Sequence, residues 1–547
     1  MLADEKVRKQ ALEPDQSFIV QAPAGSGKTE LLIQRYLKLL GLANFPEEIL
    51  AMTFTRKAAA EMKERILSAL TIAQTRSCPE QMHAKLTWKL AQKVLEQNEL
   101  RQWQLMDNPA RLRIVTIDSF CSSLTRRMPL LSRMGTNLDI QENAKNLYRE
   151  TARIILSLTE NETNPYGELV RNILRHIDNS KEDFIKRIVQ LLEKRDQWMI
   201  SFFDPRDNLE THPLNDSARQ DLEQTMAGLI QSRMGELQDL FCPEIQQKIL
   251  QIANYSGRNI DNPSHPCACL ANLLSFPDTT IDSLKIWKGL AHLFLTQDKL
   301  PAYRKQANVK LGFPLGKNDE AKKMKNEFVQ LVDSLQENPT LLPALARVKK
   351  LPRGHFTDSE WDLLKSTIRL LAEINKSLKK VFSSRQITDF TEISLSAING
   401  LIHRDENGQE RPTDLLFYLD CKIHHFLVDE YQDTSYKQEE LLHKLTAEWS
   451  DGDGKTLFIV GDPKQSIYRF RDAEVGLFIK IQKRGLGSLR LKTLALESNF
   501  RSQKHLVDWV NTCFQKIFPK HDDPNLGAIS YSESSAVLPE SVHTGVV

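Results

Sequence analysis

Apolar residues in this chain follow two rhythms. The runs "SFIVQA" (17–22), "ILAMTFT" (49–55) and "RIVTI" (113–117) are short, unbroken and rich in β-branched residues, which predicts buried strands. Between them, "ELLIQRYLKLLG" and "RKAAAEMKERILSAL" repeat apolar positions at helical spacing, the first ending at Gly41. Strands and helices alternating in this way predict an α/β fold with a parallel sheet, because parallel strands need crossover connections. From about 126 to 385 the strand rhythm almost vanishes and long Leu, Lys, Glu and Gln-rich helical stretches take over. Three more runs, "HHFLVDE" (424–430), "TLFIVGD" (456–462) and "LKTLAL" (491–496), then restore the strand pattern. The expectation is one α/β domain split in sequence, residues 1–125 with 386–484, and interrupted by a large helical insertion over 126–385.

Composition narrows the class. A chain of 547 residues corresponds to about three or four domain-sized units. With 41% hydrophobic and 26% charged residues it has the balance of a soluble globular protein. No stretch approaches the roughly 18 unbroken apolar residues of a membrane helix, and "MLADEKVRKQ" is too charged for a secretory signal. A cytoplasmic location and no membrane partner follow as expectations. A net charge of +2 argues against a basic tail but leaves room for a basic groove, since 73 Lys and Arg can be unevenly placed. The seven scattered cysteines fit reduced thiols. "HPCACL" lacks the second pair that a zinc site needs and reads as loop cysteines. The charge run "KNDEAKKMKNE" reads as a solvated helix face.

The chemistry begins at "QAPAGSGKTELL", which leaves the first predicted strand and opens a helix. Ala22, Pro23, Ala24, Gly25, Ser26, Gly27, Lys28 and Thr29 match a phosphate loop in the strand-to-helix context that makes the motif specific. Gly25 and Gly27 allow the tight path that turns backbone N–H groups toward phosphate oxygens. Lys28 reaches the β and γ phosphates, and Thr29 offers its hydroxyl to Mg²⁺. The predicted ligands are therefore ATP and Mg²⁺. Hydrolysis also needs a carboxylate on the metal and a group to orient or deprotonate water, both at the end of a neighbouring strand. "FLVDEYQD" supplies Asp429 for the metal and Glu430 for the water, with Gln432 and Asp433 placed to couple the nucleotide to whatever moves.

Taken together, "APAGSGKT", "TFTRKAAAEM", "TIDSFC", "LVDEYQDTS", "VGDPKQSIYRFRDAE" and "LESNFRS" occur in the order and spacing of UvrD/Rep-type superfamily 1 DNA helicases. The chain resembles that family over roughly 1–125 and 385–510, most closely its RecB-like and AddA-like branch, whose members join a helicase to a nuclease. The resemblance implies a RecA-like P-loop NTPase domain, a DNA-binding helical insertion and, at 485–547, the start of a second RecA-like domain. It implies ATP-driven movement 3′ to 5′ on single-stranded DNA or a 3′-tailed duplex, in repair or recombination. The protein partner it implies is a nuclease or a second helicase-nuclease subunit. By the same resemblance Gln465 senses the γ phosphate, Arg501 contacts it from the second motor domain, Phe500 stacks on adenine and Gln10 reads it. Thr53, Phe54, Arg56, Thr116, Ser119, Tyr468 and Phe470 stand where the family contacts DNA. Asp118 departs from the histidine usual in "TxHSF", and an aspartate facing phosphate would repel it. The family's later motifs do not follow "LESNFRS", so the sequence reads as a fragment or a truncated product. The rival expectation is a module that binds ATP and DNA without motor activity of its own.

Overall fold

The computed structural model describes residues 2–127, 138–141, 143–202, 216–296, 300–314, 319–405, 409–467, 474–522 and 528–538. Six parallel strands form the main sheet: β1 (Phe18–Gln21), β2 (Ile49–Thr53), β3 (Arg113–Thr116), β4 (His425–Val428), β5 (Thr456–Gly461) and β6 (Lys492–Ala495). Their order is β6-β1-β5-β4-β2-β3. The chain therefore leaves after β3 and returns through β4 and β5, which insert between β1 and β2. In β1, Phe18 and Val20 point into one core while Ile19 points into the other. All three are fully buried. That is why these strands read as unbroken apolar runs: helices cover both faces of the sheet.

Four helices frame the site: α1 (Glu5–Gln10), α2 (Lys28–Leu40), α3 (Arg56–Thr75) and α4 (Ile117–Arg127). α2 and α3 pack on the Phe18 face through Leu31, Tyr36, Leu37, Met62 and Ile66, and α4 packs on the Ile19 face through Phe120 and Leu124. Burying each such side chain contributes about 1.5–3 kcal/mol. Arg35 of α2 is fully buried among them. Its guanidinium lies 5.7 Å from the Phe18 ring and 5.3 Å from the Phe458 ring. It donates to the carbonyls of Ala11, Glu13, Pro14 and Gln16. A buried cation whose two Nη atoms are held by these carbonyls fixes the connection between α1 and β1, and with it the position of α1.

The chain divides into two compact units, residues 1–211 with 371–547, and residues 212–370. The helical stretch expected over 126–385 is thus shared between them. In the larger unit, Tyr148 and Arg195 both donate to Asp389, at 2.6 and 2.8 Å, and Asp389 caps the helix Phe390–Leu401 through the Glu392 amide. The smaller unit has its own core around Trp287, Phe294, Phe313 and Phe328, and among its described residues no named strand occurs. β6, which lies in the segment expected to open a second domain, pairs with β1 in the main sheet. Beyond it, β7 (Ser498–Gln503) pairs in parallel with β8 (Ser535–Leu538). Among the described residues no helix is long and apolar enough to cross a membrane.

Candidate active site

All six strands end at one edge of the sheet, and the site is built on the turns beyond them. After β1 the chain turns through Gly25 at φ 79° and Gly27 at φ 75°, a region that only glycine enters without cost. A Cβ on Gly25 would also stand 2.9 Å from Arg501 Cβ and Asn499 Oδ1. Gly27 is the N-cap of α2 and has no side chain to offer, so the first-turn N–H groups carry no side-chain cap. The Ser26 hydroxyl is buried without a hydrogen-bond partner among the described residues.

The acids sit two strands away, after β4, with β5 between them and the loop. Lys28 bridges the gap, its Nζ 2.5 Å from Glu430 Oε1. Glu430 adopts φ 53°, a conformation that costs a side-chain-bearing residue about 1 kcal/mol or more. Its amide donates to Asp429 Oδ1 at 3.0 Å. Gln432 is buried and braces the turn. It donates to Glu430 Oε2 at 2.7 Å and accepts from the Asp462 amide at 2.9 Å, linking the ends of β4 and β5. A Cβ on Gly461 would stand 2.6 Å from Gln432 Oε1, so glycine there makes room for that brace. Burial, reinforced by the Glu430 charge, pushes the Asp429 carboxyl up to about 6, with Lys28 pulling the other way. Burial likewise raises Asp433 to about 6.

Beyond β5, Gln465 donates to Asp462 Oδ2 at 2.7 Å, which holds its amide beside the acid turn. From β7, the Phe500 amide donates to the Gly25 carbonyl at 2.8 Å, and Asn499 Nδ2 reaches the Ala24 carbonyl at 3.3 Å. Phe500 and Arg501 therefore stand directly over the loop, both with exposed side chains. Gln10 ends α1 with its side chain in solvent. The α1 side chain that does reach the loop is Arg8, which donates to the Ser26 carbonyl at 2.6 Å and lies 5.2 Å from the Phe500 ring centroid. Arg8 escaped sequence reasoning. Its signal was the acid–base pair Asp4 and Arg8 at i, i+4, across the start of the first helix.

The residues expected to meet DNA gather at the other end of the same edge. Thr53 and Thr116 are register partners at the ends of β2 and β3. Both are buried. Thr116 and Ser119 share a hydroxyl contact of 2.7 Å, Phe54 is half-buried, and Arg56 is exposed at the start of α3. Asp118 accepts from Gln438 at 3.4 Å, in the helix after the acid turn, so its carboxylate faces a donor on the protein. Tyr468 and Phe470 lie outside the described residues.

The loop, its lysine and the acid turn suit a nucleotide's phosphates with magnesium: an uncapped helix start, two left-handed glycines, an orphaned hydroxyl, and a buried carboxylate. A sequence model of the UvrD/REP helicase N-terminal domain matches residues 3–485. The chain belongs to that family. It is also similar to proteins named as the A subunit of an ATP-dependent helicase/nuclease. That of Oceanobacillus iheyensis is 25% identical over 540 residues, covering 95% of this chain and 39% of the relative. The Bacillus pumilus protein is 26% identical, covering 97% and 41%, and that of Exiguobacterium sibiricum 27%, covering 95% and 40%. The chain spans about two-fifths of the length of these curated relatives. A UvrD/REP helicase domain of this kind implies ATP use.

Proposed function

We propose that the chain is the ATP-binding part of a DNA helicase or translocase that hydrolyses ATP to move 3′ to 5′ on single-stranded DNA, in repair or recombination and alongside a nuclease activity. The observation that carries the hydrolytic reading is the contact between Lys28 and Glu430, which unites a phosphate loop and an acid pair from opposite halves of the chain.

In this reading the backbone amides at Gly25–Thr29 and the Lys28 ammonium bind the β and γ phosphates. Thr29 and Asp429 would hold magnesium, which when bound neutralises charge between the phosphate oxygens. Lys28 cannot serve a phosphate and Glu430 equally well. Phosphate binding draws the ammonium away, and the freed Glu430 carboxylate can then orient water and take its proton. Gln432 keeps that carboxylate aimed during the exchange. Gln465 stands by the γ-phosphate position, Arg501 contributes positive charge where negative charge builds up in the transition state, and Phe500 offers a face to adenine. Thr53, Phe54, Arg56, Thr116 and Ser119 contact the DNA backbone and bases.

The test is direct. Mg-ATP binding by calorimetry and hydrolysis with and without single-stranded DNA should both be positive, and both should be lost in Lys28→Ala. Translocation measured on strands labelled at either end should run 3′ to 5′. Normal nucleotide binding by Lys28→Ala would end the phosphate-loop assignment.

A further inference from the structure

Asp4 is a carboxylate only 2% exposed, ahead of a six-residue helix, far in sequence from the segments it serves. It accepts hydrogen bonds from five donors. Arg8 provides Nε at 2.8 Å and Nη2 at 2.9 Å. The amides of Glu497 and Ser498 approach Oδ2 at 3.0 Å each, and Ser498 Oγ approaches Oδ1 at 2.8 Å. Burial alone would raise this carboxyl, but its donors outweigh burial and hold it down at about 2, so it is ionised at any working pH.

Arg8 has a second set of contacts. The same Nη2 that meets Asp4 donates to the Ser26 carbonyl inside the phosphate loop, while Arg8 Cζ lies over the Phe500 ring. The segment after Ser498 is bonded to the loop as well, through Phe500 and Asn499. Asn499 Oδ1 also accepts from the Arg501 and Ser502 amides, at 2.9 Å each, and so shapes the turn that carries Arg501. Three pieces of chain thus close a ring: α1 to segment 497–498, that segment to the loop, and the loop back to α1.

A buried ion pair is a costly way to hold a surface helix in place, because desolvating both charges offsets most of their attraction. What it supplies is geometry. A guanidinium fork accepts few orientations, and the carboxylate it grips in turn orients two amides and a hydroxyl. We propose that Asp4 and Arg8 are positioning residues that latch Phe500 and Arg501 over the phosphate loop. Neither needs to touch the reacting phosphate. Their effect on hydrolysis passes through the placement of Arg501, so the latch rests on the nucleotide-site reading for its function, though not for its existence.

The experiment uses the chain as it stands, with Asp4→Asn, Arg8→Lys and Ser498→Ala. Hydrogen exchange followed by mass spectrometry should accelerate roughly tenfold or more across 497–501 in the first two variants and less in the third. Peptides covering β2 and the first turns of α3 should be unchanged, which separates a lost latch from a lost fold. Arg8→Lys keeps the charge and loses the fork, so it should not rescue. ATP turnover in Asp4→Asn should fall about tenfold with Mg-ATP affinity moved less than about threefold. Adding Arg501→Ala should cost little more, because both changes remove the same contribution. Unchanged exchange over 497–501 in both Asp4→Asn and Arg8→Lys overturns the latch. So does a double variant whose losses simply multiply. If the wild-type chain binds no Mg-ATP, the nucleotide reading fails instead, and the exchange measurements still decide the latch.

Discussion

The two ends of one sheet edge are built on opposite electrostatic plans. At the β1, β5 and β4 end, charge is concentrated and partly buried: Lys28 on Glu430, Asp429 at 9% exposure, and Gln432 bracing the turn. At the β2 and β3 end, neutral hydroxyls line the edge in Thr53, Thr116 and Ser119; of the charges there, the Asp118 carboxylate accepts from Gln438 and Arg56 stands out in solvent. Buried charge is energetically expensive and strongly oriented, which suits bond breaking. Neutral hydroxyls are cheap to bury and tolerant in geometry, which suits contacts that are made and released repeatedly. The contrast predicts that substitutions at the first end act steeply and on one step, while those at the second act gently and on affinity.

Glu430→Gln should show the steepest response. The amide keeps the shape and loses the basicity, so turnover should fall by about 10²–10⁴-fold. Mg-ATP affinity should hold or rise severalfold, since Lys28 is released from its partner; steady-state kinetics beside calorimetry separates the two. Turnover within about twofold of wild type would erase the distinction between the ends. Lys28→Ala should cost about a hundredfold or more in Mg-ATP affinity, the loss of a charged donor to phosphate.

Asp429→Asn sharpens the comparison from the side of stability. The folded carboxyl is raised to about 6 from an unfolded value near 3.8, so the folded state holds its proton more tightly. Stability is therefore greatest below the unfolded value and is lost as pH rises through about 6. In metal-free buffer at pH 8 the asparagine variant should be more stable than wild type by about 1–3 kcal/mol, and its stability should be flatter between pH 4 and 7. Denaturant melts at both pH values measure this, and equal stability at pH 8 would deny that the buried acid carries a cost. The gentlest effect belongs to Thr53→Ala and Thr116→Ala. Each should weaken single-stranded DNA binding by about two- to fivefold and leave Mg-ATP affinity unchanged. Fluorescence anisotropy across a salt series reads this, with affinity dropping as salt rises.

The strands of the main sheet were legible because burial on both faces leaves an unbroken apolar signature. Each of the six predicted runs contains one observed strand, from Phe18–Gln21 to Lys492–Ala495. Their order was not legible. Nothing in "TLFIVGD" says that β5 will separate the phosphate loop from the acids, because apolar runs carry no register. The extent of the compact helical unit was hidden for a related reason. Helical periodicity shows that a face is buried but not against which core, so the helices of 145–202 resemble those of 216–349 until Tyr148 and Arg195 are seen on Asp389. At the site, Lys28, Asp429 and Glu430 were legible because their chemistry demands fixed neighbours in sequence. Asp4 and Arg8 were not, since their partners at Ser26, Ser498 and Phe500 are neighbours only in space.

The return of the chain through β4, β5 and β6 also sets a timetable for synthesis. β2 and β3 can pair as soon as residue 116 has left the ribosome, but β1 has partners only in β5 and β6. At about 5–20 residues per second, the first strand waits on the order of a minute before a neighbour exists. Throughout that wait Phe18, Ile19 and Val20 present an apolar edge, while the smaller unit, with its own core, can form. Chains stalled at residue 440 should therefore be cut readily near β1 by a protease that spares β2 and β3, and chains extended past 500 should not. Of the six strands in the main sheet, the first to be made is therefore among the last to be paired.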